Sequence, residues 1–196
     1  MFCTNCGNPV GENARFCTKC GHPVKKAQAQ PAPVQTPPMS SDAFGAYLQT
    51  VSLRLGAGQF VPSLQAQQFY EEEFKIKWGA SKMKKYAFVS YMPLVTADSM
   101  VGYSKRCMQY ALDNYKGLAR GMQNGVASFA VMAGEQIEQG AVDFVLASPE
   151  KHWAAFEMPV LVDLGARRVF YFQGTPLWGA LMWKDLRGFV AQNFVF

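Results

Sequence analysis

Four cysteines near the start of the chain have the spacing of a metal site. The nonapeptides Phe2–Val10 and Phe16–Val24 repeat one sequence, FCTNCGNPV and FCTKCGHPV, and each contains a Cys-x-x-Cys pair. The glycine after each pair turns easily through positive φ, so both sulfurs of a pair can face one ion. Four thiolates suit Zn²⁺, and a site whose four positions all belong to the protein is structural. The sequence therefore predicts one structural zinc bound by Cys3, Cys6, Cys17 and Cys20.

The double Cys-x-x-Cys-Gly pattern resembles the short zinc ribbons that begin many bacterial and archaeal proteins. The resemblance covers residues 1–24 and implies that the same four cysteines bind the metal. Two disulfides or an iron site of rubredoxin type are the alternatives. The chain shows no signal peptide, which argues against disulfides, and the closely set knuckles favour zinc. His22 occupies the place of Asn8 in the first repeat, so we interpret it as a polar turn residue rather than a fifth candidate ligand.

Catalytic motifs are absent from the rest of the sequence, which has no phosphate loop, dinucleotide fingerprint, nucleophile elbow or zinc-protease helix. A histidine and two carboxylates flank or lie within one apolar strand, and they could bind a metal or move protons, as in a nuclease-like hydrolase. These weak catalytic candidates are His152, Glu157 and Asp163. Polar groups at strand ends are more often ordinary surface residues, and this is the interpretation that we prefer.

Two further features invite a chemical reading. Glu73-x-Lys75 matches the acid and lysine pair of restriction-enzyme-like nucleases, but it lies in a charge-rich run where such a pair arises easily by chance. Cys107 has no second cysteine near it in sequence and lies beside the apolar face of a predicted helix. We therefore expect Cys107 to be a small buried hydrophobic residue rather than a nucleophile.

Composition divides the chain into three segments. Residues 1–24 are the ribbon, residues 25–41 form a linker rich in Ala, Gln and Pro, and residues 42–196 are long enough to bury one core. The formal charge is +5, and a zinc bound by four thiolates lowers it to about +3, which is weak evidence for a polyanionic partner. No apolar stretch reaches the roughly 18–20 residues of a membrane span, so we expect a cytoplasmic protein.

Apolar patterns predict the elements that position these groups. Ser41 and Asp42 cap a helix that ends before Gly56. A short helical stretch is predicted near residues 63–70, and then a half-exposed strand in which Phe74, Ile76 and Trp78 alternate with lysines. A second strand follows at residues 86–95, with the hairpin turn at residues 81–85.

The second half of the chain begins with its clearest helix, which Thr96 caps. A turn at Asn124-Gly125, a strand at 126–132, a short helix near 137–145 and a hairpin of strands at 158–164 and 169–172 follow. Thr175 and Pro176 begin the last helix, and the aromatic residues around it are expected to pack in the core. This mixture lacks strict βαβ alternation and predicts an α+β domain whose helices pack on a mainly antiparallel sheet.

Three functions follow from these observations. The leading hypothesis is a non-enzymatic zinc-binding protein of two modules, whose ribbon helps to recognise a protein partner. The first alternative is a hydrolase with its site in residues 42–196. The second is nucleic-acid binding through basic residues in and beside the ribbon, which would weaken with added salt: Arg15, Lys19, Lys25 and Lys26.

Overall fold

The computed structural model describes Pro9, Lys19, Cys20 and residues 41–117, 120–121 and 123–196. Predictions for Cys3, Cys6, Cys17, His22 and the linker residues 25–40 fall outside these described residues. The described residues from Ser41 onward belong to one compact unit. No helix in the described part of the chain is long and apolar enough to cross a membrane.

A mixed six-stranded sheet is the middle layer of this unit. In chain order the strands are β1 Gln59–Val61, β2 Ala66–Lys75, β3 Ser81–Tyr91, β4 Leu94–Val95, β5 Asn124–Gly134, β6 Gln136–Ile137, β7 Ala155–Asp163 and β8 Arg168–Tyr171. The sheet order is β1-β2-β3-β5-β7-β8, while β4 and β6 form a small separate pair. The pairings β3–β5 and β5–β7 are parallel, and the three outer pairings are antiparallel.

Helices cover both faces of the sheet. They are α1 Asp42–Leu55, α2 Ala97–Asp113, α3 Gln139–Leu146 and α4 Ala180–Asn193. One core cluster joins α1 and α4 to one face, through residues such as Phe44, Phe129 and Trp183. The other cluster joins α2 and α3 to the opposite face, through residues such as Met100, Phe88 and Val145. The predicted α+β class is confirmed, with the sheet between two helical layers.

Sequence signals at helix starts are confirmed at two of the four helices. The Ser41 side chain accepts a hydrogen bond from the Phe44 amide at 3.1 Å and caps α1. Thr96 and Ser99 form a reciprocal capping box at the start of α2, which satisfies two backbone amides that the helix itself leaves without partners. Apolar residues recur at helical spacing along α2, where Met108 and Ala111 are buried and Val101 is half-buried.

Several predicted boundaries are wrong. Residues 66–70 belong to β2 rather than to a short helix, because nine residues of β2 pair with β3. The predicted strand is right for Phe74, but β2 ends at Lys75, and Ile76–Trp78 form a short 3-10 turn. The hairpin turn lies at residues 76–80, where Gly79 has φ 72° and Ala80 has φ 55°, and residues 81–85 already belong to β3. Asn124-Gly125 begins β5 instead of making a turn. Helix α4 starts after Gly179 and not, as predicted, at Thr175 and Pro176. The φ of Gly179 is 69°, which is not a right-handed helical conformation.

Candidate functional site

His152 and Glu157 come together although they lie in different local structures. Glu157 stands on β7 and is 7% exposed. His152 precedes the strand, and the turn through Ala154 at φ 48° folds the chain back so that His152 bridges to Ala155. The His152 Nε2 atom lies 3.1 Å from Glu157 Oε2. The prediction that these residues are ordinary surface groups is therefore wrong for Glu157, which is buried.

Ser104 completes the surroundings of the Glu157 carboxylate. Its hydroxyl donates to Glu157 Oε1 at 2.5 Å from the facing side of α2, where Ser104 is fully buried. Ser128 on β5 lies directly opposite Glu157 in the strand register. Within the described ranges, Ser128 Oγ is the one buried side-chain oxygen without a hydrogen-bond partner. A short polar row thus crosses the otherwise apolar face beneath α2.

This arrangement is not a nucleophilic triad. Ser104 and His152 bind opposite oxygens of the same carboxylate, so the structure shows the histidine beside Glu157 and not beside the hydroxyl. Ser104 is also fully buried and not positioned to meet a substrate. The Glu157 carboxylate lines a cavity. At the edge of that cavity it can bind a cation or exchange a proton.

Asp163 does not join this pair. It ends β7, six residues after Glu157, which is roughly 20 Å along a strand. Its Oδ1 accepts a hydrogen bond from the Ala166 amide at 2.8 Å, and its Oδ2 lies 3.4 Å from Arg168 Nη2. Asp163 therefore stabilises the turn between β7 and β8. A hydrolase in residues 42–196 would have to use His152 and Glu157 without it.

A polar groove of about 440 Å³ lies between β2 and α4. Lys75 Nζ lies 2.5 Å from Glu73 and 3.3 Å from Asp185, so the Glu73-x-Lys75 pair is closed into an ion-pair network. Lys85, only 4% exposed, binds Glu73 at 2.6 Å and stacks over the Phe189 ring. Burial opposes ionisation of Glu73, but hydrogen bonds from Lys75 and Lys85 outweigh it, and the net pKa of Glu73 is lowered. Because the carboxylates of this network are paired with lysines, we interpret the network as structural.

Asp185 makes the stability of this network depend on pH. Burial alone would raise its pKa, but hydrogen bonds from Lys77, Trp78 and Lys75 lower it overall. A carboxylate whose folded-state pKa is lowered stabilises the fold above its unfolded pKa of about 4, and this stability is lost as the pH falls further. We expect Asp185→Asn to cost about 1 kcal/mol at pH 7, or about 2–4 °C in melting temperature.

Thermal melts between pH 7 and pH 3 test this expectation. The wild-type melting temperature should fall more steeply below pH 4 than that of Asp185→Asn. Asp113→Asn, on the exposed side of α2, is the matched control and should keep the wild-type slope. Parallel curves for the wild type and Asp185→Asn would contradict the role assigned to the network.

Cys107 is fully buried on α2, as predicted. Burial raises the pKa of its thiol to about 12, against a smaller opposing effect from its hydrogen bond with Tyr103. Since the thiolate is the reactive form, the thiol is inert near neutral pH. Its role is packing.

Exposed apolar side chains collect at the end of the sheet where β3, β5 and β7 begin. Leu181 lies one helical turn before Asp185 on α4. Asp185 binds Lys77 and Trp78, which directly follow Ile76, so α4 brings Leu181 to the same end of the sheet as Ile76. A Cβ at Gly121 would lie 2.7 Å from the Trp153 indole nitrogen, so Trp153 packs over that glycine. Leu177 precedes Trp178, whose ring centroid lies 5.7 Å from that of Phe156 near the start of β7. The exposed fractions are high at all four members of this "apolar end surface": Ile76 80%, Trp153 77%, Leu177 98% and Leu181 63%.

A small pocket of about 170 Å³ opens at the same end. Gly121 and Ala154, which adjoin Trp153, line it together with Met182, which adjoins Leu181. Met83 and Phe156 supply its apolar walls. The volume and the apolar walls of this pocket suit one apolar side chain of a partner. Strand and helix periodicity did not reveal it, because the residues come from four separate segments.

Metal binding is supported in the N-terminal segment. A family model described as a zinc-ribbon domain matches residues 2–24. The donor set of four cysteines in that segment fits Zn²⁺. Of the four cysteines predicted as ligands, Cys20 is the one among the described residues, and it is exposed. Among the residues that the structure describes, no group of three or more His, Cys, Asp or Glu side chains could hold a metal.

No curated protein and no solved structure matches the chain. The comparisons therefore support a zinc ribbon at the N-terminus, and they match nothing in residues 25–196. Of the basic residues proposed for nucleic-acid binding, Lys19 is exposed and the other three lie outside the described residues.

Proposed function

We propose that this is a zinc-binding protein of two modules that recognises a protein partner. The ribbon at residues 1–24 holds one structural zinc through Cys3, Cys6, Cys17 and Cys20. The linker at residues 25–41 tethers it to the domain at residues 42–196. Each module contributes one contact to the partner, and the tether makes the second contact effectively intramolecular, which raises the overall affinity.

The apolar end surface is the observation that carries this proposal. Large apolar side chains exposed singly are common, but a group of them around a pocket marks an interaction site. Binding would bury Trp153 and three aliphatic side chains, and Trp is enriched among the residues that dominate binding energy. The matching partner presents an apolar segment with one side chain that fits the adjoining pocket.

Photo-crosslinking tests the surface without disturbing the fold. Leu177, at 98% exposure, is replaced by p-benzoylphenylalanine in the full-length, zinc-loaded protein, and Leu53, 82% exposed on α1, is the matched control position. After irradiation in lysate of the source cells, we expect one dominant protein adduct from position 177 that position 53 does not give. Adding Cys17→Ser should reduce its yield at least tenfold, because the ribbon contact is lost.

Two results would overturn the proposal. Identical adducts from positions 177 and 53 would show that the apolar end surface is not a specific interface. An adduct yield at position 177 that Cys17→Ser leaves unchanged would show that the ribbon is not a recognition module. The crosslink also identifies the partner.

A further inference from the structure

We propose that the cavity beside Glu157 binds a small organic cation, namely a primary amine attached to an apolar group. The cavity has a volume of about 220 Å³ and lies between the N-terminal half of β7, α2 and the segment that follows α3. Glu157 lines it, with Lys105 and Glu150 among the residues around it. This site is separate from the apolar end surface and requires no protein partner.

The carboxylate is held in place and retains capacity for a ligand. An ionised carboxylate can accept about four hydrogen bonds, and Glu157 accepts one from Ser104 on Oε1 and contacts His152 on Oε2. Within the described part of the chain, His152 is its one ion-pair partner. An ammonium group can donate three hydrogen bonds, and charge-assisted bonds of this kind are about twice as strong as neutral ones.

The other residues that line the cavity determine which chemical group must be attached to the amine. Phe144, Ala147, Pro149 and Pro159 give the cavity an apolar lining, which favours a hydrocarbon group over a second charge. The volume is below the roughly 300–1,000 Å³ of pockets for drug-sized ligands. A single ring or a short branched chain is the appropriate size.

An organic cation fits better than a metal ion. A metal site needs several ligating side chains, and the described residues contain no group of three or more His, Cys, Asp or Glu side chains that could hold one. Lys105 at the same cavity makes none of the ion pairs found among the described residues. It is therefore free to contact an anionic group on the ligand, so the test must also compare an anion.

Three probes of similar shape but different charge separate the contribution of the ligand's charge to the affinity from that of its apolar ring. Benzylamine, benzyl alcohol and benzoate are titrated into the full-length, zinc-loaded protein while its backbone amide resonances are followed by NMR. We expect benzylamine to shift amides in β7 and after α3, with an affinity at least tenfold above that of benzyl alcohol. Benzoate should bind more weakly than either, because Glu157 repels it.

Two variants test the same cavity in different ways. Glu157→Gln removes the charge at nearly constant shape, and Ala147→Trp fills the mouth from an exposed position that bears little on folding. Each should weaken benzylamine binding at least tenfold. Glu135→Gln, at an exposed site after β5, is the control and should bind as the wild type does.

The proposal fails if Glu157→Gln binds benzylamine as tightly as the wild type. It also fails if benzoate binds more tightly than benzylamine, because the cavity would then be an anion site centred on Lys105. If Glu157→Gln does not fold, Ala147→Trp decides, and undiminished binding to that variant overturns the proposal.

Discussion

Replacing Cys3 or Cys17 with Ser should abolish zinc binding and leave the domain at residues 42–196 folded. In the proposed site each cysteine supplies one of four thiolates, and a ribbon of this size obtains its folding free energy mainly from the metal, about 10–16 kcal/mol in zinc-finger peptides. The larger domain has its own buried clusters on both faces of the sheet. Loss of the ribbon should therefore not spread to it.

Elemental analysis and circular dichroism measure the two halves of this prediction. The wild-type protein should contain one zinc per chain, and either variant should contain none. The thermal transition of the larger domain should shift by no more than about 1 °C. Cys107→Ser, which alters a buried cysteine on α2, is the control and should keep the zinc. A retained zinc in Cys17→Ser, or global unfolding of that variant, would contradict the assignment of ligands or the independence of the modules.

The zinc ribbon could be predicted from sequence because its information is local. Two thiols separated by two intervening residues specify a knuckle whatever surrounds them, and the repeated nonapeptide leaves little freedom in how the pairs combine. The helices with strong caps, α1 and α2, are predicted for the same reason. Ser41 and Thr96 bind amides only three residues away.

The sheet was harder to predict because its pairings join distant residues. Residues 66–70, including Gln67 and Gln68, favour a helix locally, but pairing with β3 outweighs that preference. The long apolar runs of β5 and β7 are typical of parallel strands buried on both faces. Since α2 and α3 supply the two crossovers, this signal could have revealed the parallel centre of the sheet.

The surroundings of Glu157 could be predicted only in part. His152 and Glu157 are five residues apart, so a turn could bring them together. Ser104, on α2, is 53 positions from Glu157, and only the crossover from β3 to β5 places α2 over β7. A serine on the inner face of an amphipathic helix is the signal that could have pointed to it, because a buried hydroxyl needs a partner.

The aromatic residues near the C-terminus form a core cluster around Trp183. This residue is fully buried, and its ring centroid lies 5.5 Å from that of Phe156, 5.7 Å from that of Phe172 and 5.0 Å from that of Trp178. Its indole N–H donates to the Trp178 carbonyl at 3.0 Å. The cluster joins α4 to β7 and to the residue after β8. Trp183 thus stabilises the contact of the last helix with the sheet.

Trp183→Ala should therefore lower the free energy of unfolding by about 3–5 kcal/mol, the usual cost of removing a buried aromatic side chain and leaving a cavity. Trp153→Ala is the control with the same change in side chain, and it should cost less than about 1 kcal/mol because Trp153 is 77% exposed. Urea unfolding followed by circular dichroism gives both values. Comparable losses in the two variants would show that Trp153 is held as firmly as Trp183, and the apolar end surface would then be part of the core rather than a surface that a partner covers.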